Sequence, residues 1–347
     1  MKTIPLSLLL FAIFLSPLQA KVEKPLVYVP VLPYVWLFER IGGEWIEVRS
    51  IVGEGDDCHD YSPSPRQLTR LAGANLIFSG DLGFEGNFFV KMGDGISAPK
   101  EISLLEGLDL LEGSCGICEH EGHGEEEGHG EHHDHSDHSD HSDHSDHSDH
   151  AEHAEKAAPK EDGHEEGHGH DDDHEHAHHD HDHAELKDPH VWLSPKLLAQ
   201  QATRIAGILK EHTVDEANPA IDENLAALLA DLNAVDAELK EALAPIKGET
   251  FYVYHGAFAY FADAYGLEQK AIETTGRRPS PRQLGQIAEQ AKKDEVKLIF
   301  VQPQFDQSSA NSLAKTIGGD VAELDPLEKD VLSNLRTIAG LIRNRQG

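Results

Sequence analysis

The chain has 347 residues and 63 acidic against 29 basic side chains, a formal charge of −34. That balance excludes nucleic acid as a partner, because phosphate binding draws its affinity from clustered Lys and Arg. Segment 119–185 alone holds 25 of the acidic residues against Lys156 and Lys160, so about a third of the charge belongs to the remainder. No run beyond the first twenty residues reaches the ~18 apolar residues that a spanning helix needs.

Residues 1–20 read as a secretory signal. Lys2 gives a positive start, Leu8 to Leu15 are all apolar, and Leu18-Gln19-Ala20 offers a small-residue cleavage site. The mature chain is expected to begin near Lys21. No cysteine follows closely, so no acylation site is expected, and the chain reads as a soluble protein exported to the periplasm. Without the signal and the acidic segment, about 260 residues remain, enough for one large or two ordinary domains.

Cys58-His59-Asp60-Tyr61 stands just ahead of Pro63-Ser64-Pro65-Arg66-Gln67-Leu68, where Ser64 reads as an N-cap and Pro65 as the first helical turn. The apolar strand Asn75-Leu76-Ile77-Phe78 follows. Cys115-Gly-Ile-Cys118 comes next, and it suits a disulfide, a pair of soft metal ligands or a redox couple. The second such pair of the usual zinc pattern is absent.

Of the 25 histidines, 21 lie between His120 and His183, among five consecutive Asp-His-Ser triplets and mixtures of Gly, Glu and His. With no aromatic residue and no apolar period, this tract has nothing to bury and is expected to stay disordered. Its imidazoles and carboxylates suit many weak, exchanging sites for Zn²⁺, Cu²⁺ or Ni²⁺. Folded sequence is left with His59, His190, His212 and His255.

Asp188-Pro189-His190-Val191-Trp192 leads into a helix opened by Ser194-Pro195, and His212 ends that helix in an ordinary setting. From Asn218 the apolar positions Ile221, Leu225, Leu228, Leu229, Leu232, Val235, Leu239 and Leu243 recur at three and four residues, predicting one amphipathic helix. At 1.5 Å per residue it spans about 40 Å and reads as a rigid rod between two lobes, ended by Pro245. Phe251-Tyr252-Val253-Tyr254 reads as a strand, His255 follows it, and Ala257 to Ala262 read as helix. Pro279-Ser280-Pro281-Arg282-Gln283-Leu284 then repeats the earlier hexapeptide letter for letter, and Lys297-Leu298-Ile299-Phe300-Val301 repeats the strand.

Helix then buried strand, twice, predicts an α/β protein of two similar lobes bridged by one long helix. The expected boundaries are 1–20 for the signal, 21–217 for the N-terminal lobe with 119–185 inserted, 218–244 for the linking helix and 245–347 for the C-terminal lobe. His59, His190 and His255 each stand at a strand end or on a connection running into a helix, where α/β domains bind ligands. Three imidazoles leave one tetrahedral position for water or a carboxylate. Asp325, which ends the apolar Val321-Ala322 stretch and is fixed by Pro326, is the first candidate for it, Asp60 the second, and Cys58 a further alternative.

These motifs together, with Leu324-Asp-Pro-Leu, resemble the cluster A-I solute-binding proteins of metal-importing ABC transporters, above all the periplasmic zinc-uptake type. The resemblance runs from about Leu26 to Ile342 apart from the tract. It implies two α/β lobes bridged by a long helix, one metal in the cleft between them, and His59, His190, His255 and Asp325 at the four ligand positions. A histidine-rich insertion ahead of the second ligand is similar to the zinc branch, and a histidine at the third position favours Zn²⁺ over Mn²⁺. Cys58 and Ser62 depart from the family, which often carries Pro or an acidic residue at the first of these positions and Glu at the second.

The function so implied is capture of Zn²⁺ and its delivery to an inner-membrane ABC permease by a monomer, with other periplasmic zinc chaperones as further partners. A stand-alone zinc buffer and a zinc hydrolase are the alternatives. Against the hydrolase, the sequence has no HExxH motif and no general base placed by spacing, and no enzymatic activity is expected.

Overall fold

The structure is a computed structural model that describes residues 23–59, 61–85, 100–113, 187–273, 279–305 and 307–345. The expected signal, Asp60, Cys115, Cys118 and the histidine tract lie outside the described residues. Each lobe is built on a four-stranded parallel sheet. The first contains β1 (Leu26–Val29), β2 (Glu47–Ser50), β3 (Leu76–Ser79) and β4 (Lys100–Ser103) in the order β2-β1-β3-β4. The second contains β5 (Thr250–Val253), β6 (Glu268–Ala271), β7 (Leu298–Val301) and β8 (Asp320–Glu323) in the order β6-β5-β7-β8.

Central strands of a parallel sheet are covered on both faces and therefore read as continuous apolar runs. Leu-Ile-Phe-Ser in β3 and Leu-Ile-Phe-Val in β7 are buried at every position. The edge strands β2 and β6, Glu-Val-Arg-Ser and Glu-Gln-Lys-Ala, are polar and partly exposed. In the second lobe Phe251, Val253 and Phe300 join the core that runs into the first lobe, while Tyr252, Ile299 and Val301 face a separate apolar cluster on the other side of the sheet. That split follows the period-two alternation of strand side chains.

Helices α1 (Leu32–Gly42), α2 (Pro65–Leu71) and α3 (Pro195–His212) belong to the first lobe. Helix α4 (Asn218–Leu243) joins the lobes. Its apolar stripe of Ile221, Leu228, Leu232, Val235, Leu239 and Leu243 is buried, and it packs on α1 and α3 at one side. It also touches α5 (Ala259–Tyr265) and α8 (Val331–Arg345), and each buried Leu contributes roughly 1.5–3 kcal/mol. Helices α6 (Pro281–Lys293) and α7 (Ser308–Ile317) cover the second sheet. The helix expected from Ala257 begins at Ala259, because Ala257 and Phe258 turn there; Ala257 N–H bonds to His255 O at 2.9 Å.

The two hexapeptides make the same local structure. Ser64 and Ser280 cap α2 and α6, each in a capping box closed by Gln67 or Gln283. Residue-for-residue equivalence extends past the strand ends. Val52 N–H bonds to Pro30 O and Glu273 N–H to Tyr254 O, both at 3.0 Å; Leu104 N–H bonds to Ser79 O and Leu324 N–H to Val301 O, at 2.7 and 3.0 Å. Val31 and His255, Val52 and Glu273, Gly80 and Gln302, and Leu105 and Asp325 therefore occupy matching positions. The connection from β2 to the first hexapeptide, residues 51–62, is longer than its counterpart 272–278 in the second lobe.

The chain segments on either side of the histidine tract are drawn together. Glu112 and Lys187 form an antiparallel bridge, and Asp188 N–H bonds to Leu111 O at 3.0 Å. Tyr260 of α5 ties both strands of this root: its hydroxyl accepts from Leu111 N–H at 3.1 Å and donates to Asp188 O at 2.8 Å.

Candidate metal centre

His59 comes from the longer connection of the first lobe. Its backbone N–H donates to Asp57 Oδ1 at 2.8 Å. Gly83 lies against its carbonyl, where an added Cβ would stand 3.4 Å from His59 O. Two residues on, the Tyr61 hydroxyl is hydrogen-bonded by Gln67 Nε2 and its ring meets Phe84 edge-on. The glutamine that closes the α2 capping box thus also anchors the chain leaving His59.

His190 stands between the tract root and a 3₁₀ turn, Val191–Leu193. Asp188 Oδ1 accepts from both its backbone N–H and its ring Nδ1–H, each at 2.8 Å. Trp192 packs edge-on to the imidazole and donates its indole N–H to Pro326 O of the second lobe at 2.8 Å.

His255 follows β5 by two residues. Gln302 holds its backbone at both ends, accepting from His255 N–H at 3.1 Å and donating to His255 O at 2.7 Å. Phe305 stacks on the ring, and Glu273 accepts from Nδ1. His190, Asp188, His255 and Glu273 are 1, 0, 2 and 6% exposed, so both imidazole–carboxylate pairs are shut away from solvent.

The three rings converge. Centroids lie 4.5 Å apart for His59 and His255, 5.2 Å for His190 and His255, and 5.7 Å for His59 and His190. One ring nitrogen from each falls within 4.8 Å of the other two, and His190 Nε2 and His255 Nε2 are 3.4 Å apart. A carboxylate only accepts hydrogen bonds, so both Nδ1 atoms carry protons. The Nε2 of a neutral ring offers a lone pair, and two such atoms 3.4 Å apart suit a shared cation. Two ligands at about 2.0–2.1 Å from a tetrahedral Zn²⁺ stand about 3.3–3.4 Å apart.

Burial, and then the neighbouring His255 and His190, push His59 down to about 2. Burial also lowers His190, against the opposing pull of Asp188. Both are therefore neutral donors at ordinary pH, the form a metal requires.

Asp325 follows β8 and is not among these mutually close donors. Its Oδ1 accepts from Gln304 Nε2 at 2.9 Å and Leu327 N–H at 2.8 Å, and its carbonyl from Asn334 Nδ2 at 2.7 Å. It lines an interlobe cavity of about 250 Å³ with Val31, Val52 and Glu54 of the first lobe. Cys58 is buried and forms with Asp57 and His59 a second group of donors within 4.8 Å. Asp188, Glu273 and Gln302 escape sequence reasoning. Only the Asp-Pro-His spacing hints at the first, and the other two are found only through strand register.

The family model described as zinc-uptake complex component A, periplasmic (ZnuA), matches residues 27–344. The chain belongs to the ZnuA family. A crystal structure of ZnuA superposes with a TM-score of 0.70 at 28% identity, covering 94% of this chain and all of that one. A ZnuA deletion mutant with zinc bound gives 0.69 at 28% identity, covering 93 and 98%. In sequence the chain is 35% identical over 156 residues to the zinc-binding lipoprotein AdcA of Streptococcus pneumoniae (strain TIGR4), covering 43% of this chain and 31% of AdcA. It is 31% identical to the high-affinity zinc uptake system protein ZnuA of Haemophilus influenzae, covering 45 and 46%. The aligned region thus spans less than half the length of each of those two curated relatives. ZnuA membership accounts for the paired parallel-sheet lobes and the bridging helix, both expected from the sequence.

Proposed function

We propose that this protein binds one Zn²⁺ between its lobes through His59, His190 and His255 and hands it to an inner-membrane ABC permease. The observation that carries the reading is the convergence of three ring nitrogens within 4.8 Å in a described structure whose other histidine, His212, ends a helix. Neutral imidazoles suit Zn²⁺, whereas harder cations prefer oxygen. In the zinc-bound state Asp325 completes the tetrahedron after leaving Gln304 and the Leu327 N–H, and water fills the position until it does.

The protein acts as a carrier rather than an enzyme. In support, the two carboxylates that touch the rings are engaged with Nδ1 atoms, not free to act as a general base on bound water. The carrier works in the periplasm as a monomer, exported through residues 1–20, and exchanges zinc with other periplasmic chaperones. The histidine tract gathers metal and passes it inward.

Calorimetry on the chain lacking residues 119–185 tests the assignment. One tight zinc event is expected to remain, and its loss would move the principal site into the tract. His59→Ala, His190→Ala and His255→Ala are each expected to weaken that event, and an unchanged affinity removes the residue from the ligand set. Asp325→Asn with unchanged affinity leaves the fourth position to water or Asp60.

A further inference from the structure

Glu273 occupies a place where the fold itself asks for no charge. Its counterpart in the first lobe is Val52, whose N–H makes the same 3.0 Å bond to the neighbouring strand end. Both residues are buried, yet only in the second lobe does a carboxylate fill the position, and there it meets the Nδ1 of His255. Asp188 makes the matching contact to Nδ1 of His190 at 2.8 Å, from backbone held by Leu111 and Tyr260. Burying a carboxylate costs several kcal/mol unless it is paired or fully hydrogen-bonded, so two such groups beside adjacent imidazoles call for a reason beyond packing.

We infer that Asp188 and Glu273 are positioning residues that fix His190 and His255 as Nδ1–H tautomers and so present both Nε2 lone pairs to one bound Zn²⁺. The inference rests on the proposed function, since it assumes that these rings hold the metal. An isolated neutral imidazole can carry its proton on either nitrogen. With Nδ1–H committed to a buried carboxylate, Nε2 is left as the acceptor, and the ring cannot rotate without abandoning the bond. The carboxylate also raises the basicity of the ligating nitrogen, and loss of such a partner lowers metal affinity about 10–100-fold in comparable sites. His255 is constrained further by Gln302 and Phe305, so its backbone and ring plane survive the loss of Glu273. That separates tautomer control from simple support of the loop.

The test uses the full chain labelled with ¹⁵N-histidine, free of metal and then titrated with Zn²⁺ against a competing chelator. Two slowly exchanging ring N–H protons, both on Nδ1, are expected in the metal-free protein. Rings open to water exchange too quickly to contribute such signals. Glu273→Val, which installs the residue that the first lobe tolerates at this position, is expected to abolish the His255 signal and lower affinity about 10–100-fold. Glu273→Gln, which keeps an acceptor without the charge, is expected to restore the Nδ1–H signal and part of the affinity; Asp188→Asn is the corresponding variant at His190. Ring protons found on Nε2 in the parent chain, or unchanged affinity in Glu273→Val while His255→Ala is weakened, overturns the inference alone. Unchanged affinity in His255→Ala overturns the proposed function with it.

Discussion

The two lobes share strand order, register and helix caps, but they use matching positions for opposite purposes. Val31, Val52, Gly80 and Leu105 of the first lobe carry no charge and help to hold its fold. Their counterparts His255, Glu273, Gln302 and Asp325 are polar: the first three meet at the candidate metal centre, and Asp325 lines the interlobe cavity. The first lobe contributes instead through departures from the common plan: the longer connection that carries His59, and the segment after the tract that carries His190. A repeated scaffold can thus acquire a site either by changing residues at the turns its halves share or by lengthening a loop, and here each lobe takes a different route.

The equivalence of the lobes fails if the shared core is not shared energetically. Phe78 and Phe300 stand at equivalent positions in β3 and β7 and are both buried. Phe78→Ala and Phe300→Ala are each expected to lower stability by about 3–5 kcal/mol in urea unfolding. A loss at one position several kcal/mol smaller than at the other would mean that one lobe carries the fold alone.

The functional asymmetry is sharper. His255→Ala is expected to reduce zinc affinity by more than the ~100-fold upper bound for a residue acting through a ligand, while Val31→Ala at the matching turn leaves it within a few-fold. Equal losses in a chelator competition would show that the turn matters for shape rather than chemistry.

The pH dependence distinguishes the buried imidazoles from ordinary ones. Burial holds His59 and His190 well below the usual histidine value of 6.5. Below pH 6.5 the unfolded chain therefore takes up protons at these positions that the metal-free folded chain does not, and stability falls as pH falls. Above 6.5 both states are neutral there and the dependence fades. Each group contributes up to about 1.4 kcal/mol per pH unit. Denaturation of the metal-free protein between pH 5 and 8 measures the slope, and a flat profile below 6.5 would contradict the neutral-donor picture.

The smallest effect concerns the repeated caps. Ser64→Ala and Ser280→Ala are each expected to cost about 1 kcal/mol. Only Ser64→Ala should also weaken zinc binding measurably, because Gln67 of its capping box holds Tyr61 beyond His59. Thermal unfolding and zinc titration of the pair separate the two roles.

Much of this plan is legible in the residues alone. The hexapeptide repeat and the apolar runs of β3, β5 and β7 expose the two lobes, and the stripe from Ile221 to Leu243 exposes the joining helix. The edge strands are not legible: Glu-Val-Arg-Ser in β2 and Glu-Gln-Lys-Ala in β6 are four residues long, polar and paired through backbone alone on one side. His59, His190 and His255 stand out once the tract histidines are set aside. Glu273 cannot be recognised that way, since its meaning depends on β6 lying beside β5 and bringing residue 273 against residue 255.

The pinched root at Glu112 and Lys187 has a consequence for the insertion. Because the residues that flank the histidine-rich segment, Leu111 and Glu112 before it and Lys187 and Asp188 after it, are fastened to each other and to Tyr260, the segment's length is uncoupled from the geometry it interrupts. Doubling the number of residues between two joined points of a chain adds only about 0.6 kcal/mol to the entropy of closing it. Residues can therefore be added to or removed from the insertion with little penalty to the scaffold, and its composition can change independently of the folded lobes.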